Sequence, residues 1–88
     1  MKYKILTVPP FDKQLKRLCK KYKSLKNEII VLGKSLIENP IQGEPLGNKC
    51  YKIRLAISSK GRGKSGGARI ITHIVQIRTT VYLLSIYD

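Results

Sequence analysis

The chain has 88 residues, of which 18 are Lys or Arg and 5 are Asp or Glu, so its formal net charge is +13. This length predicts a single domain over residues 1–88, and the charge predicts an anionic partner such as nucleic acid or an acidic protein. The longest apolar runs fall far short of the roughly 20 residues of a membrane-spanning helix. We therefore expect no membrane partner.

The N-terminal half predicts one strand followed by two helices. Residues 2–8 have the pattern of a strand, which Pro9 and Pro10 are expected to end. Two apolar stripes at helical spacing follow, formed by Phe11, Leu15, Leu18 and Tyr22 and then by Leu25, Ile29, Leu32 and Leu36. Ser24 is the expected cap of the second helix, and Asn39-Pro40 is its expected end.

A run of basic residues covers the first helix and the turn after it. A run of this kind is commonly a solvated helix face, and the alternative is a second contact surface for RNA or the ribosome. The run consists of Lys13, Lys16, Arg17, Lys20, Lys21, Lys23 and Lys26.

The C-terminal half predicts a turn-rich connector over residues 41–49 and then three strands, at residues 51–58, 68–76 and 80–87. Arg78, Thr79 and Thr80 lie where the last two strands must turn. The predicted fold is therefore α+β with the order β-α-α-β-β-β, in which a helical hairpin packs on one face of a mostly antiparallel sheet.

The most informative segment is residues 51–69, YKIRLAISSKGRGKSGGAR, which contains no acidic residue. Its loop carries Lys60, Arg62 and Lys64 among glycines, and Arg54 and Arg69 stand in the strands on either side. The loop could be a solvated hairpin connection. The favoured interpretation is a loop that grips phosphates, in which glycines let the backbone approach and the cations neutralise charge.

Two nucleotide-binding motifs match in residue type, but the rest of each motif is missing. Gly61-x-Gly63-x-x-Gly66 fits the dinucleotide fingerprint, but that motif requires a helix to follow, and here a strand is predicted. Gly63-Lys64 lacks the glycine that a phosphate-binding Walker loop needs five residues earlier, where Ser58 stands. We therefore expect no nucleotide cofactor.

The remaining candidate residues have structural alternatives. His73 shares a strand face with Arg69, although an imidazole in a strand is more often structural than catalytic. Tyr87 ends the last strand, where packing is the commoner role. Cys19 and Cys50 form no C-x-x-C pair, and one histidine cannot complete a zinc set with them. They are expected as reduced thiols of a cytoplasmic protein without a metal.

Several of these elements together resemble the RelE/ParE superfamily of bacterial toxins. The matching elements are the F-x-x-x-L-x-x-L pattern of residues 11–18, the N-P-x-x-G-x-x-L-G connector of residues 39–47, Y-K-I-R at residues 51–54, G-K-S-G-G-A-R-I at residues 63–70 and the closing strand of residues 84–88. The resemblance covers nearly the whole chain. It implies the toxin of a type II toxin–antitoxin module, neutralised by a cognate antitoxin whose acidic segment would wrap over the basic surface.

The resemblance leaves the target open. RelE-like and HigB-like members cut mRNA on the ribosome, whereas ParE-like members inhibit DNA gyrase by binding, and a non-toxic member is a third alternative. RNase members often carry a functional tyrosine in a segment beyond the last strand, and Tyr87 does not match that position. The favoured hypothesis is a ribosome-dependent, metal-free mRNA endoribonuclease.

In that hypothesis, Arg54 and Arg69 stabilise the charge on the phosphate, because a guanidinium fork fits two phosphate oxygens. Lys60 or Lys64 would be the base, since neighbouring cations favour a neutral amine. The candidate catalytic residues are thus Arg54, Arg69, Lys60, Lys64 and Tyr87. The candidate RNA-binding residues are Lys52, Arg62 and His73.

Overall fold

Five strands and two helices account for most of residues 2–60 and 66–88, the part of the chain that the computed structural model describes. Their bounds are β1 Lys4–Thr7, α1 Pro9–Lys21, α2 Leu25–Glu38, β2 Glu44–Gly47, β3 Cys50–Leu55, β4 Ala68–Val75 and β5 Thr80–Tyr87. Two short 3₁₀ turns, Ser58–Lys60 and Gln76–Arg78, follow β3 and β4.

The strands form one mixed sheet in the order β1-β5-β4-β3-β2. β1 pairs with β5 in parallel, and the other neighbours are antiparallel. The predicted α+β fold and its order of elements are confirmed. β2 is an addition within the predicted connector, and its four residues are all exposed. A short edge strand containing a proline has little apolar alternation, so the sequence gives it a weak signal.

Two local predictions at the helix starts are confirmed, and the structure adds a detail to each. Pro9 and Pro10 do more than end the first strand, because they form the first turn of α1. Proline is tolerated there since the first helical N–H groups have no partner within the helix. Ser24 does occupy the cap position of α2, but its side chain makes no capping hydrogen bond. α2 ends at Glu38, directly before the predicted stop.

Both helices pack on one face of the sheet. The apolar stripes of the helices supply Phe11, Leu25 and Leu36, each fully buried, against a row of buried strand residues. Along β4, buried and half-buried residues alternate strictly. The half-buried positions, which include Arg69 and His73, therefore share the opposite face of the sheet, and we call this side the open face.

Gly67 fixes how closely the chain approaches β3 at the start of β4. A Cβ added at this buried residue would lie 1.9 Å from the carbonyl oxygen of Leu55 and 3.0 Å from Cα of Ala56. Only glycine permits this approach, because the atoms it meets are backbone. The next cross-strand pairs are Leu55 with Ala68 and then Arg54 with Arg69, so Gly67 lies two residues before the arginine pair.

Across residues 2–60 and 66–88, no helix is long and apolar enough to cross a membrane.

Candidate nucleic-acid interface

Three of the predicted site residues form a transverse row on the open face. Arg54 on β3 pairs with Arg69 on β4, and Arg69 pairs with Tyr87 on β5. Paired residues in an antiparallel sheet have Cα atoms about 4.5–5.5 Å apart, so the row spans about 10 Å. Arg54 is exposed, Arg69 is half-buried and Tyr87 is 46% exposed. We call these residues the arginine–tyrosine row.

The row concentrates positive charge. Like charges directly opposite each other in a sheet are destabilising, and Arg54 and Arg69 occupy such positions. Within the described residues, Arg54 forms no ion pair. Arg69 donates a long hydrogen bond of 3.5 Å from Nη1 to the carbonyl of Gly67. Two adjacent guanidinium groups provide a fork geometry suited to phosphate oxygens.

Lys52 lies on the same face of β3, two residues before Arg54 and therefore about 7 Å from it along the strand. Its Nζ is 3.3 Å from Oε1 of Glu44, the residue opposite it on β2. These residues and Arg54 line an open depression of about 700 Å³. The Lys52 charge is thus partly neutralised within the protein, and a bound phosphate would compete with Glu44 for it.

His73 shares the open face but lies apart from the row. It is four residues from Arg69 on the same strand, which corresponds to about 13 Å. Its cross-strand neighbours are Cys50 and Tyr82, and its Nδ1 is 3.4 Å from Sγ of Cys50. At that separation, His73 and Arg69 do not act on the same point of the surface.

The loop after β3 is anchored at its start to the helical hairpin. Glu28 of α2 accepts a hydrogen bond of 2.8 Å from the Ser58 backbone N–H and a second from the Ser58 hydroxyl. The Ser24 hydroxyl contacts Glu28 Oε1 at 3.1 Å and Ser59 Oγ at 2.8 Å, and the Ser59 N–H donates to Ser24 Oγ. These contacts fix the backbone at Ser58 and Ser59, directly before Lys60. Arg62, Lys64 and the side chain of Lys60 lie outside the described part of the chain.

The same hydrogen bonds perturb the Glu28 carboxyl. Burial acts to raise its pKa, but the hydrogen bonds from the side chain and backbone of Ser58 and from the side chain of Ser24 outweigh burial. The net result is a pKa below the ordinary value, because donors aimed at a carboxylate favour its charged form. Glu28 therefore remains ionised at neutral pH and holds the base of the loop.

Sequence reasoning missed two contributors to this surface. Cys50 was treated only as a thiol, although period-two spacing already places it on the same face as Lys52 and Arg54. Glu28 had no local signal, since its partner Ser58 is 30 residues away. Within the described residues, no group of three or more His, Cys, Asp or Glu could hold a metal ion.

Comparison with known proteins supports the architecture. No protein-family model matches the chain. Among solved structures, the chain is similar to a doubly substituted form of the E. coli toxin RelE in the free state, with a TM-score of 0.70 and 21% identity over all of this chain and 84% of that one. It is also similar to a chain of the intact E. coli RelBE toxin–antitoxin complex, with a TM-score of 0.68 and 20% identity over 98% of this chain and 95% of that one.

These two similarities extend over nearly all of this chain and over 84% and 95% of the two matched chains. They confirm, at the level of the fold, the resemblance that the sequence elements indicated. The chain has the RelE fold.

Proposed function

We propose that this protein is the toxin of a type II toxin–antitoxin module and that it cleaves mRNA on the ribosome. The observation that carries the proposal is the arginine–tyrosine row, in which two arginines and a tyrosine occupy directly opposite positions on the open sheet face. The RelE fold supports the toxin assignment, and the net charge of +13 suits an RNA partner.

The proposed reaction needs no metal. The ribose 2′-oxygen attacks the adjacent phosphorus, the bond from phosphorus to the 5′-oxygen breaks, and the products carry a 2′,3′-cyclic phosphate and a 5′-hydroxyl. Arg54 and Arg69 stabilise the additional negative charge on the phosphorane oxygens. One group must accept the 2′-proton, and another must donate a proton to the 5′-oxygen.

The residues of the row and of the loop divide these tasks. Tyr87 lies beside Arg69 and can exchange a proton with the reacting phosphate group. Lys60 or Lys64 is the proposed base, because both follow β3 in a segment rich in cations, and neighbouring cations favour a neutral amine. Lys52, Arg62 and His73 bind the RNA backbone on either side.

The proposed partner in regulation is a cognate antitoxin with an acidic segment. A chain of the E. coli RelBE toxin–antitoxin complex has the same fold. The excess of 18 basic over 5 acidic residues favours association with an acidic chain through complementary charge. Binding over the open face would cover the arginine–tyrosine row.

The test is induced expression followed by mapping of mRNA 5′ ends. We expect rapid arrest of translation and new 5′-hydroxyl ends in ribosome-bound messages. Arg69→Ala should lower cleavage by at least 100-fold, as expected when an electrostatic contact to the transition state is lost. Arg78→Ala is the matched control, because Arg78 is an exposed arginine in the turn between β4 and β5.

One other outcome would contradict the role of the row, and two would contradict the nuclease. Unchanged cleavage by Arg69→Ala would reject the role of the row. Trapped gyrase–DNA complexes with intact messages would indicate a ParE-like inhibitor. Harmless expression of a folded protein would indicate a member without toxic activity.

A further inference from the structure

The end of β5 carries a second basic cleft that continues the arginine–tyrosine row. β1 pairs with β5 only as far as Leu83, so among the described strands none flanks β5 on that side beyond this point. α1 lies there instead, and the Gln14 side-chain oxygen accepts hydrogen bonds from the Ile86 N–H at 3.0 Å and the Ser85 hydroxyl at 3.1 Å. This contact brings α1 against the strand that presents Tyr87.

The cleft between α1 and β5 has a volume of about 280 Å³. Its basic lining residues are Arg17 and Lys21, which are one helical turn apart on the same face of α1. Tyr87 lines it as well. Tyr87 therefore belongs both to the row on the open face and to this cleft at the edge of β5, so an RNA strand that crosses the row reaches the cleft by passing round this edge.

An anionic group of the protein already occupies one side of the cleft. The Asp88 Oδ2 atom accepts a hydrogen bond of 2.8 Å from the Tyr22 hydroxyl and lies 3.5 Å from Lys21 Nζ. The Tyr22 hydroxyl and then the Asp88 carboxylate raise the pKa of Lys21. An ammonium group and a hydroxyl that together bind a carboxylate oxygen present the donors that a phosphate oxygen requires.

We propose that this cleft is a second phosphate-binding subsite, in which Arg17 and Lys21 bind the backbone of single-stranded RNA next to the nucleotide held by the arginine–tyrosine row. The subsite rests on the proposed function, since it extends the same RNA path. It also divides the basic run of α1 into two classes. Arg17 and Lys21 face the RNA, whereas Lys16 and Lys20 do not line the cleft and remain a solvated face.

The helix supplies a matched control for this division. Arg17 with Lys21 and Lys16 with Lys20 are both pairs of exposed cations at four-residue spacing on α1. Replacing either pair by glutamine removes two charges and keeps long, helix-compatible side chains. Each double variant also removes one basic residue from the last helical turn, where Lys20 and Lys21 both lie. A difference in RNA binding between the two double variants therefore reflects the position of the lost cations and not the total charge.

The assay is fluorescence anisotropy with a 12-nucleotide, fluorescein-labelled RNA that is 2′-O-methylated throughout and so cannot be cut through its 2′-oxygen. Each phosphate contact to single-stranded nucleic acid contributes about 0.7 to the slope of log affinity against log salt. Loss of two contacts in the variant Arg17→Gln/Lys21→Gln should lower the slope by about 1.4 and the affinity at 0.1 M salt by about 25-fold. Lys16→Gln/Lys20→Gln should lower the affinity by less than 3-fold.

Asp88→Asn should act in the opposite direction, because it removes the carboxylate that competes with phosphate. We expect tighter RNA binding by this variant, and equal or weaker binding would overturn the subsite. Equal losses in the two double variants of α1 would overturn it as well.

A double variant of the row, Arg54→Gln/Arg69→Gln, separates the two proposals. If it binds RNA more weakly while the Arg17/Lys21 variant binds normally, the subsite is wrong and the proposed function stands. If the row variant binds RNA normally, the proposed function is wrong, and the subsite that rests on it is no longer supported. Thermal unfolding of each variant identifies any loss of binding that comes from misfolding.

Discussion

The close approach at Gly67 gives a prediction that links stability to the arrangement of the arginines. In Gly67→Ala, the new Cβ would be 1.9 Å from the Leu55 carbonyl oxygen, which is 1.5 Å short of the 3.4 Å at which ordinary contact begins. The atoms it meets are backbone atoms of Leu55 and Ala56, so no side-chain rotation relieves the overlap. β3 and the chain entering β4 must move apart beside Arg54 and Arg69.

The expected cost follows from this overlap. Overpacking of a well-packed site destabilises a protein by about 1–3 kcal/mol. A domain of this length has a free energy of unfolding of about 4–13 kcal/mol, so the variant should fold with reduced stability. Displacement of a catalytic group by about 1 Å can lower the rate roughly 100-fold. Cleavage should therefore fall by more than the loss of stability explains.

Urea unfolding measures the first effect, and mRNA cleavage at a temperature where both proteins are folded measures the second. Gly33→Ala is the control, because nothing lies within 4 Å of a Cβ at that position of α2. It should stabilise the protein by up to about 1 kcal/mol through helix propensity. If Gly67→Ala keeps wild-type stability within 0.5 kcal/mol, the close approach of the two chain segments is wrong.

Two further predictions concern charge. Arg54→Thr should raise the free energy of unfolding by about 0.2–1 kcal/mol, because it removes a like charge opposite Arg69, while RNA cleavage falls; a loss of stability would show that the pair is not repulsive. Glu28→Gln should lower stability at pH 7. The pKa of Glu28 is below its ordinary value of 4.5, so its contribution is present above pH 4.5 and is lost as the pH falls through the folded-state pKa. The difference in urea unfolding between wild type and Glu28→Gln should therefore shrink from pH 7 to pH 3, and a constant difference would contradict the assigned hydrogen bonds.

The sequence predicted those parts of the fold that depend on local periodicity. The stripes through Phe11 and Leu25 specify two helices, and the alternation along β4 specifies which residues share a face. Register is a different matter, because it depends on pairing between distant segments. The alternation alone could not show that Arg54, Arg69 and Tyr87 fall opposite one another.

The parts of the site that escaped prediction are contacts between residues far apart in the chain. The division of the basic run on α1 depends on the edge of β5 left free where β1 ends, and no pattern within α1 indicates that edge. The short strand β2 was not predicted, because it is defined mainly by its pairing with β3 and not by its own sequence pattern. The contact between Lys52 and Glu44, which lies opposite it on β2, was therefore not predicted either.

The parallel pairing of β1 with β5 has a consequence for the order in which the molecule assembles. Lys4 pairs with Thr80, so β1 finds its partner in a strand more than 70 residues later in the chain. α1 also waits for β5, since its Gln14 oxygen bonds to Ile86. Pairing across such a separation forms late, because closing the long intervening loop costs entropy before the contact can form.

A nascent chain leaving the ribosome can therefore form its helical hairpin and the β3–β4 pair before its sheet is complete. The third member of the arginine–tyrosine row joins only when β5 has emerged. Under the proposed function, the toxin would therefore lack its working surface until β5 has left the ribosome and paired with β4.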